Sequence, residues 1–236
     1  MQPLPFFYID TAENTGDDIL LNEVTSKHIV QVLRMKPGDH IHLTDGQGRL
    51  LTVVITRADK KQSAVRKVAE SLSERPVSQV SIAISLLKNN SRFEWFLEKA
   101  GEIGVHSIFP LICHRTEKLK VRTERLHSIL VSAMLQSRQT FLPNLSDPML
   151  LADFLKTDSV NTATSRYIAH CEPGDKPLLK SFPPSRRPLI LIGPEGDFTR
   201  EEIHTSVDKG FQPVSLGTAR LRTETAGLAA AMTLAL

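Results

Sequence analysis

Two short stretches of this sequence combine residue types that could hold and act on a polar ligand. The first is Leu191-Ile192-Gly193-Pro194-Glu195-Gly196-Asp197-Phe198. Its glycines permit close backbone approach and positive φ. The backbone N–H groups of such a turn, with a helix N-terminus behind them, can hold polar ligand atoms. An ordinary strand-to-helix turn would have the same composition. The second runs from Ser215 through Leu216, Gly217, Thr218, Ala219, Arg220, Leu221, Arg222, Thr223 and Glu224 to Ala226. Thr223 as a helix cap and Glu224 near the positive helix end explain two of its residues. They leave Arg220 and Arg222 unexplained. A guanidinium there could stabilise developing negative charge, and a carboxylate could orient it or accept a proton.

Other chemistries lack their motifs. The chain has no GxGxxG dinucleotide fingerprint, no GxxxxGK[ST] phosphate loop and no G-x-S-x-G nucleophile turn. Its eight histidines form neither HExxH nor a Cys/His set with zinc spacing, so no metal is expected.

The elements that would position the two stretches follow from the apolar pattern. Ser26–Leu33 reads as a short helix closed by Pro37-Gly38-Asp39. Ile41–Thr44 and Leu50–Thr56, joined by Asp45-Gly46-Gln47-Gly48, read as a hairpin, with Ser63–Val68 as a further strand. Short strands with tight turns suggest a small β-barrel over residues 1–72. The polar segment Ser73-Glu74-Arg75-Pro76 is the expected linker. Beyond it, strands and helices alternate. Strands are expected at Val80–Leu87, Val105–Cys113, Tyr167–Cys171, Leu189–Ile192 and Pro213–Leu216. Helices are expected at Ser91–Gly104, Val121–Arg138, from the capping box Thr199-x-x-Glu202 to Gly210, and at Thr223–Leu236. Alternation of this kind predicts an α/β domain with a mainly parallel sheet over residues 73–236. Ligands of such sheets bind beyond the carboxyl ends of the strands, which is where both stretches fall.

Of the 236 residues 41% are hydrophobic, enough for a sizeable core, and no apolar run approaches the roughly 20 residues that cross a bilayer. The N-terminus does not read as a signal peptide. Two cysteines, Cys113 and Cys171, fit a reducing cytoplasm. Net charge is only +3, but His114–Arg138 holds six Lys or Arg against two acids. That excess suits a phosphate-rich partner, and equally a solvated helix face.

Taken together, Ile192-Gly193-Pro194-Glu195-Gly196 and Leu216-Gly217 with Leu221-Arg222-Thr223-Glu224-Thr225-Ala226 closely resemble the signature pair of the RsmE family, bacterial 16S ribosomal RNA (uracil-N3)-methyltransferases of the SPOUT superfamily. His28–Asp39, Glu98–Val105, and Gln136-Ser137 with Pro143 resemble further segments of that family. Where the family commonly has Gly-Pro-Arg, this chain has Gly217-Thr218-Ala219; where it often has a second glycine, this chain has Asp197. The resemblance implies a PUA-like RNA-binding barrel followed by a SPOUT domain with a C-terminal trefoil knot. It implies a homodimer, with 16S ribosomal RNA or the small ribosomal subunit as partner. It also implies S-adenosylmethionine bound by Leu191, Gly193, Glu195, Gly196, Leu216, Gly217, Leu221 and Thr223, with His170 and Glu172 flanking the pocket. Arg222 and Glu224 are the expected catalytic residues. Arg34, Arg115, Lys118, Lys120, Arg138 and Arg220 are the expected RNA contacts. A SPOUT enzyme acting on another RNA, or a non-catalytic RNA-binding assembly factor, are the alternative readings.

Overall fold

The computed structural model describes residues 4–10, 16–117 and 121–235. They form two compact units, Met1–Arg75 with Met134–Leu142, and Pro76–Ala133 with Pro143–Leu236. The segment 134–142 thus packs with the first unit, although it follows the second unit's strands in sequence. The hairpin turn is the reason. Gly46 and Gly48 adopt positive φ (72° and 101°), and their backbones exchange hydrogen bonds with Thr140 and Leu142.

The first unit is a curled five-stranded sheet. Its strands are β1 (Phe6–Tyr8), β2 (Asp18–Leu20), β3 (His40–Thr44), β4 (Arg49–Arg57) and β5 (Ala64–Leu72), in the order β1-β3-β4-β5-β2. The expected hairpin is β3–β4, paired antiparallel, and β5 extends further than its alternation suggests. The inward residues Ile41, Leu43, Leu51, Val53, Ile55 and Val65 form its core, alternating as a half-buried sheet requires. Helix α1 (Glu23–Lys27) begins earlier than expected, because the Asn22 side chain caps it by accepting from Thr25 N–H. It continues as a π-helical turn over His28–Val32.

The second unit is built on parallel strands: β6 (Ser81–Ser85), β7 (Ser107–Ile112), β8 (Asn144–Leu145), β9 (Met149–Leu150), β10 (Ser165–Ala169), β11 (Pro188–Ile192) and β12 (Gln212–Val214). Their order is β12-β10-β11-β6-β7-β8, with β9 also on β7. The helices are α2 (Asn90–Ile103), α3 (Thr123–Gln136, which carries the chain into the first unit), α4 (Leu151–Phe154), α5 (Asp158–Thr162), α6 (Arg200–Asp208) and α7 (Thr223–Ala235). Every residue of β11 is buried, as expected of a central strand covered on both faces. Asn89 caps α2 at its start, and Gly104, at φ 85°, ends it in the left-handed conformation. The Thr199–Glu202 capping box of α6 is complete.

Helix α7 packs on α2, β6 and β11. That seating depends on Gly227, where a Cβ would stand 2.7 Å from Phe96 Cε2 and 2.9 Å from Ile84 Cδ1. Among the described residues, no helix is long and apolar enough to cross a membrane.

Candidate active site

The loops that leave β10, β11 and β12 at their carboxyl ends enclose a cavity of about 840 Å³. It is the size of a small-molecule site. Both stretches singled out by the sequence meet there.

The β11–α6 loop forms one wall through Gly193, Pro194, Glu195, Gly196 and Asp197. It is held from several sides. Phe198, fully buried, lies under Gly193, whose Cβ, if present, would stand 3.0 Å from the ring. The Arg115 guanidinium donates to the carbonyls of Gly196 (2.7 Å) and Phe198 (3.4 Å). Glu195 accepts the Lys88 N–H at 3.4 Å, and Lys88 in turn pairs with Glu117 at 2.7 Å. Glu202 accepts the His114 N–H at 2.7 Å. The loop is therefore fixed by the segments following β6 and β7 before any ligand arrives, which is what a precise site requires.

The β12–α7 segment forms the facing wall, from Ser215 through Leu216, Gly217, Thr218, Ala219, Arg220, Leu221 and Arg222 to Thr223, with Ala226. Gly217 adopts φ 139°, which favours glycine. Arg220 and Arg222 are exposed at the cavity. The third wall follows β10: His170, Cys171, Glu172 and Pro173. Both ring nitrogens of His170 are shielded from solvent and have no hydrogen-bond partner among the described residues. Burial, assisted by the Lys176 ammonium, pushes the imidazole below its ordinary value, against the opposing pull of Asp197 and Glu172. His170 thus lines the cavity while both its ring nitrogens stay shielded.

Seven of the eight expected cofactor contacts line this cavity: Gly193, Glu195, Gly196, Leu216, Gly217, Leu221 and Thr223. Leu191 does not. It is fully buried in the core with Phe154 and Phe198, because alternate residues of β11 face opposite sides of the sheet. Glu224 is likewise set apart from the lining. It lies in the first turn of α7 and is 6% exposed, with Oε1 3.7 Å from Arg92 Nε and Oε2 without a partner. It does not line the cavity, whereas its neighbour Arg222 does.

The expected RNA contacts are dispersed. Lys118 and Lys120 lie outside the described residues. Arg34 and Arg138 are exposed in the first unit, both with positive φ (54° and 57°), and Arg138 donates to the Leu4 carbonyl at 3.4 Å. Arg115, placed with the RNA contacts by its charge, is in the cavity wall and braces the loop. Arg125, part of the basic run, is paired with Glu94 through two 2.6 Å bonds. The brace by Arg115 and the support by Phe198 are the contributions that sequence reasoning missed. Nothing in the position of Arg115 announces contacts across more than eighty residues.

Known proteins are similar to this chain in sequence and fold. Residues 73–235 match the model of the RNA methyltransferase domain, and residues 21–68 match that of the RNA methyltransferase PUA domain. A probable rRNA-methyltransferase from Porphyromonas gingivalis superposes with a TM-score of 0.88 at 37% identity, over 97% of this chain and 96% of that one. A ribosomal RNA small subunit methyltransferase E from Neisseria gonorrhoeae, solved bound to S-adenosyl methionine, gives a TM-score of 0.83 at 29% identity, over 98% and 96%. Ribosomal RNA small subunit methyltransferase E from Aquifex aeolicus is 26% identical over 219 residues, covering 91% of this chain and 92% of its own. The domain match spans well over half the sequence, and the chain belongs to the RNA methyltransferase family, among the relatives of ribosomal RNA small subunit methyltransferase E.

Proposed function

We propose that this protein methylates N3 of a uridine in the 16S RNA of the small ribosomal subunit, with S-adenosylmethionine as methyl donor. The carrying observation is the cavity at the ends of β10, β11 and β12, where both signature stretches converge on one space of about 840 Å³. Its donor set suits the cofactor. Leu216, Leu221 and Pro194 offer apolar surface, and Glu195 offers negative charge near a cationic ligand.

The cofactor supplies a methyl group already activated on a sulfonium, so the protein's main task is alignment. N3 of the uridine would take that methyl group and give up its proton to solvent water. Arg222, exposed at the cavity, is placed to stabilise the uridine as that proton departs. Glu224, at the start of α7 beside Arg92, would hold that helix start and through it orient Arg222. N3 lies on the pairing edge, so the target base must be unpaired when it enters. Arg220 beside the cavity, and Arg34 and Arg138 on the first unit, would hold phosphates.

The C-terminal segment is read as a trefoil knot. Ser215 bonds to Pro177 and Leu179, and the chain then leaves edge strand β12 to seat α7 on β11 and β6. The functional form is read as a homodimer. Helix α7 is apolar nearly all round, yet Met232 is 44% exposed, and Trp95 on the adjoining α2 is also 44% exposed. Helices of that composition are normally covered. Both cysteines are free, which suits the cytoplasm where ribosomes are assembled.

Gly196→Trp tests the cofactor assignment. Gly196 lines the cavity, and a Cβ there would already stand 3.3 Å from Arg115 Cβ, so an indole would displace the loop or its brace. Calorimetric titration with S-adenosylmethionine should show binding by the wild type and at least about tenfold weaker binding by a folded variant. Equal affinities would place the cofactor elsewhere.

A further inference from the structure

Asp197 has no part in the chemistry above, yet its geometry is unusual. Its φ is 64°, in the left-handed region that residues with a Cβ seldom enter. Its Oδ2 accepts the Cys171 N–H at 2.7 Å, and its Oδ1 accepts its neighbour's N–H, that of Phe198, at 2.8 Å. Its own N–H donates to the Pro194 carbonyl at 2.9 Å. One carboxylate therefore joins the segment leaving β10 to the loop leaving β11. Those are two walls of the cavity, His170–Pro173 on one side and Gly193–Asp197 on the other.

The bond to Cys171 is charge-assisted and short, the stronger class of hydrogen bond. A glycine would adopt this φ at lower cost. The side chain therefore contributes something that the turn itself does not need. What it holds is the peptide directly after His170. His170 lines the cavity, and among the described residues its shielded ring nitrogens have no hydrogen-bond partner, so packing and the backbone on either side hold the ring.

We infer that Asp197 is a positioning residue for the ligand site: its carboxylate locks the His170–Glu172 wall against the Gly193–Phe198 loop, and the locked wall sets the affinity for S-adenosylmethionine. The inference rests on the cofactor assignment proposed above. It adds a residue that reaches the ligand through another segment.

The test compares wild type, Asp197→Gly and Asp197→Asn in the full-length protein. Three quantities are measured: deuterium exchange at the Cys171 amide without ligand, S-adenosylmethionine affinity by calorimetry, and melting temperature. In Asp197→Gly the Cys171 amide should exchange faster, and affinity should fall about tenfold, the scale of one lost charged hydrogen bond. Its melting temperature should stay near that of the wild type, because glycine relieves the left-handed backbone. Asparagine tolerates that conformation and keeps one acceptor oxygen. Asp197→Asn should therefore recover part of both the protection and the affinity, and it serves as the test if the glycine variant does not fold. Unchanged exchange in folded variants would overturn the lock. Faster exchange with unchanged affinity would reduce Asp197 to a local structural role and overturn the positioning claim. A wild type that keeps Cys171 protected but binds no S-adenosylmethionine would overturn the cofactor assignment instead, because the exchange comparison needs no ligand.

Discussion

At the scale of single residues, the cavity is distinguished by groups whose hydrogen-bonding capacity is left open. His170 is the clearest case. Its imidazole is held below the ordinary value of about 6.5, chiefly by burial. A folded-state value lower than the unfolded one means that the unfolded chain binds the proton more readily. The stabilisation is therefore complete above about pH 6.5 and is lost as pH falls through the lower folded value. An NMR titration should show His170 titrating below the ordinary histidine value. His170→Asn should flatten the acid limb of stability over that window. A His170 that titrates at or above the ordinary value would mean that the ring is solvated and not aimed into a dry wall. Cys113 shows burial acting on another group. Its thiol is pushed up to about 12, chiefly by desolvation, and it is a structural side chain, not a nucleophile.

At the scale of elements, the site depends on how α7 is seated. Gly227 permits the close approach of α7 to Phe96 and Ile84. Gly227→Val should cost about 1–3 kcal/mol of stability, as overpacking typically does. It should also weaken cofactor binding, because Thr223 and Ala226 of the same helix line the cavity. Thermal melting and titration of that variant check both parts, and an unperturbed melt would show that α7 can shift without consequence. The elements legible in the sequence are those whose signals are local. The Asp45–Gly48 turn, the α6 capping box and the apolar run of β11 carry their own punctuation, and each is found where expected. Short β1, β2, β8 and β9, and helices α4 and α5, have too few residues for a period to show. The membership of 134–142 in the first unit depends on backbone bonds to Gly46 and Gly48, about ninety residues earlier, which no local pattern records. The site divides in the same way. Its glycines and the Arg222 segment stand out by composition. The burial of the Leu191 side chain in the core and the bonds of Arg115 to the loop carbonyls are not legible there, because charge and composition do not reveal which groups a side chain will meet.

At the scale of the whole molecule, the chain joins a PUA domain to an RNA methyltransferase domain, as its two domain matches describe. The exposed apolar residues Trp95 and Met232 on the paired helices α2 and α7 lead us to expect self-association in solution. Sedimentation equilibrium should give about twice the chain mass of 26.3 kDa, and Met232→Glu should shift the balance towards monomer. A wild type that stays monomeric at micromolar concentration would remove the dimer from the account. The most direct test of the central claim is methyl transfer itself. Small ribosomal subunits lacking the modification would be incubated with the purified protein and S-adenosylmethionine, and the 16S RNA digested for nucleoside mass spectrometry. The account predicts the appearance of N3-methyluridine at one position, dependent on the cofactor and strongly reduced by Arg222→Ala. No methylated nucleoside from a folded protein that binds the cofactor, or a methyl group found on another atom, would contradict it.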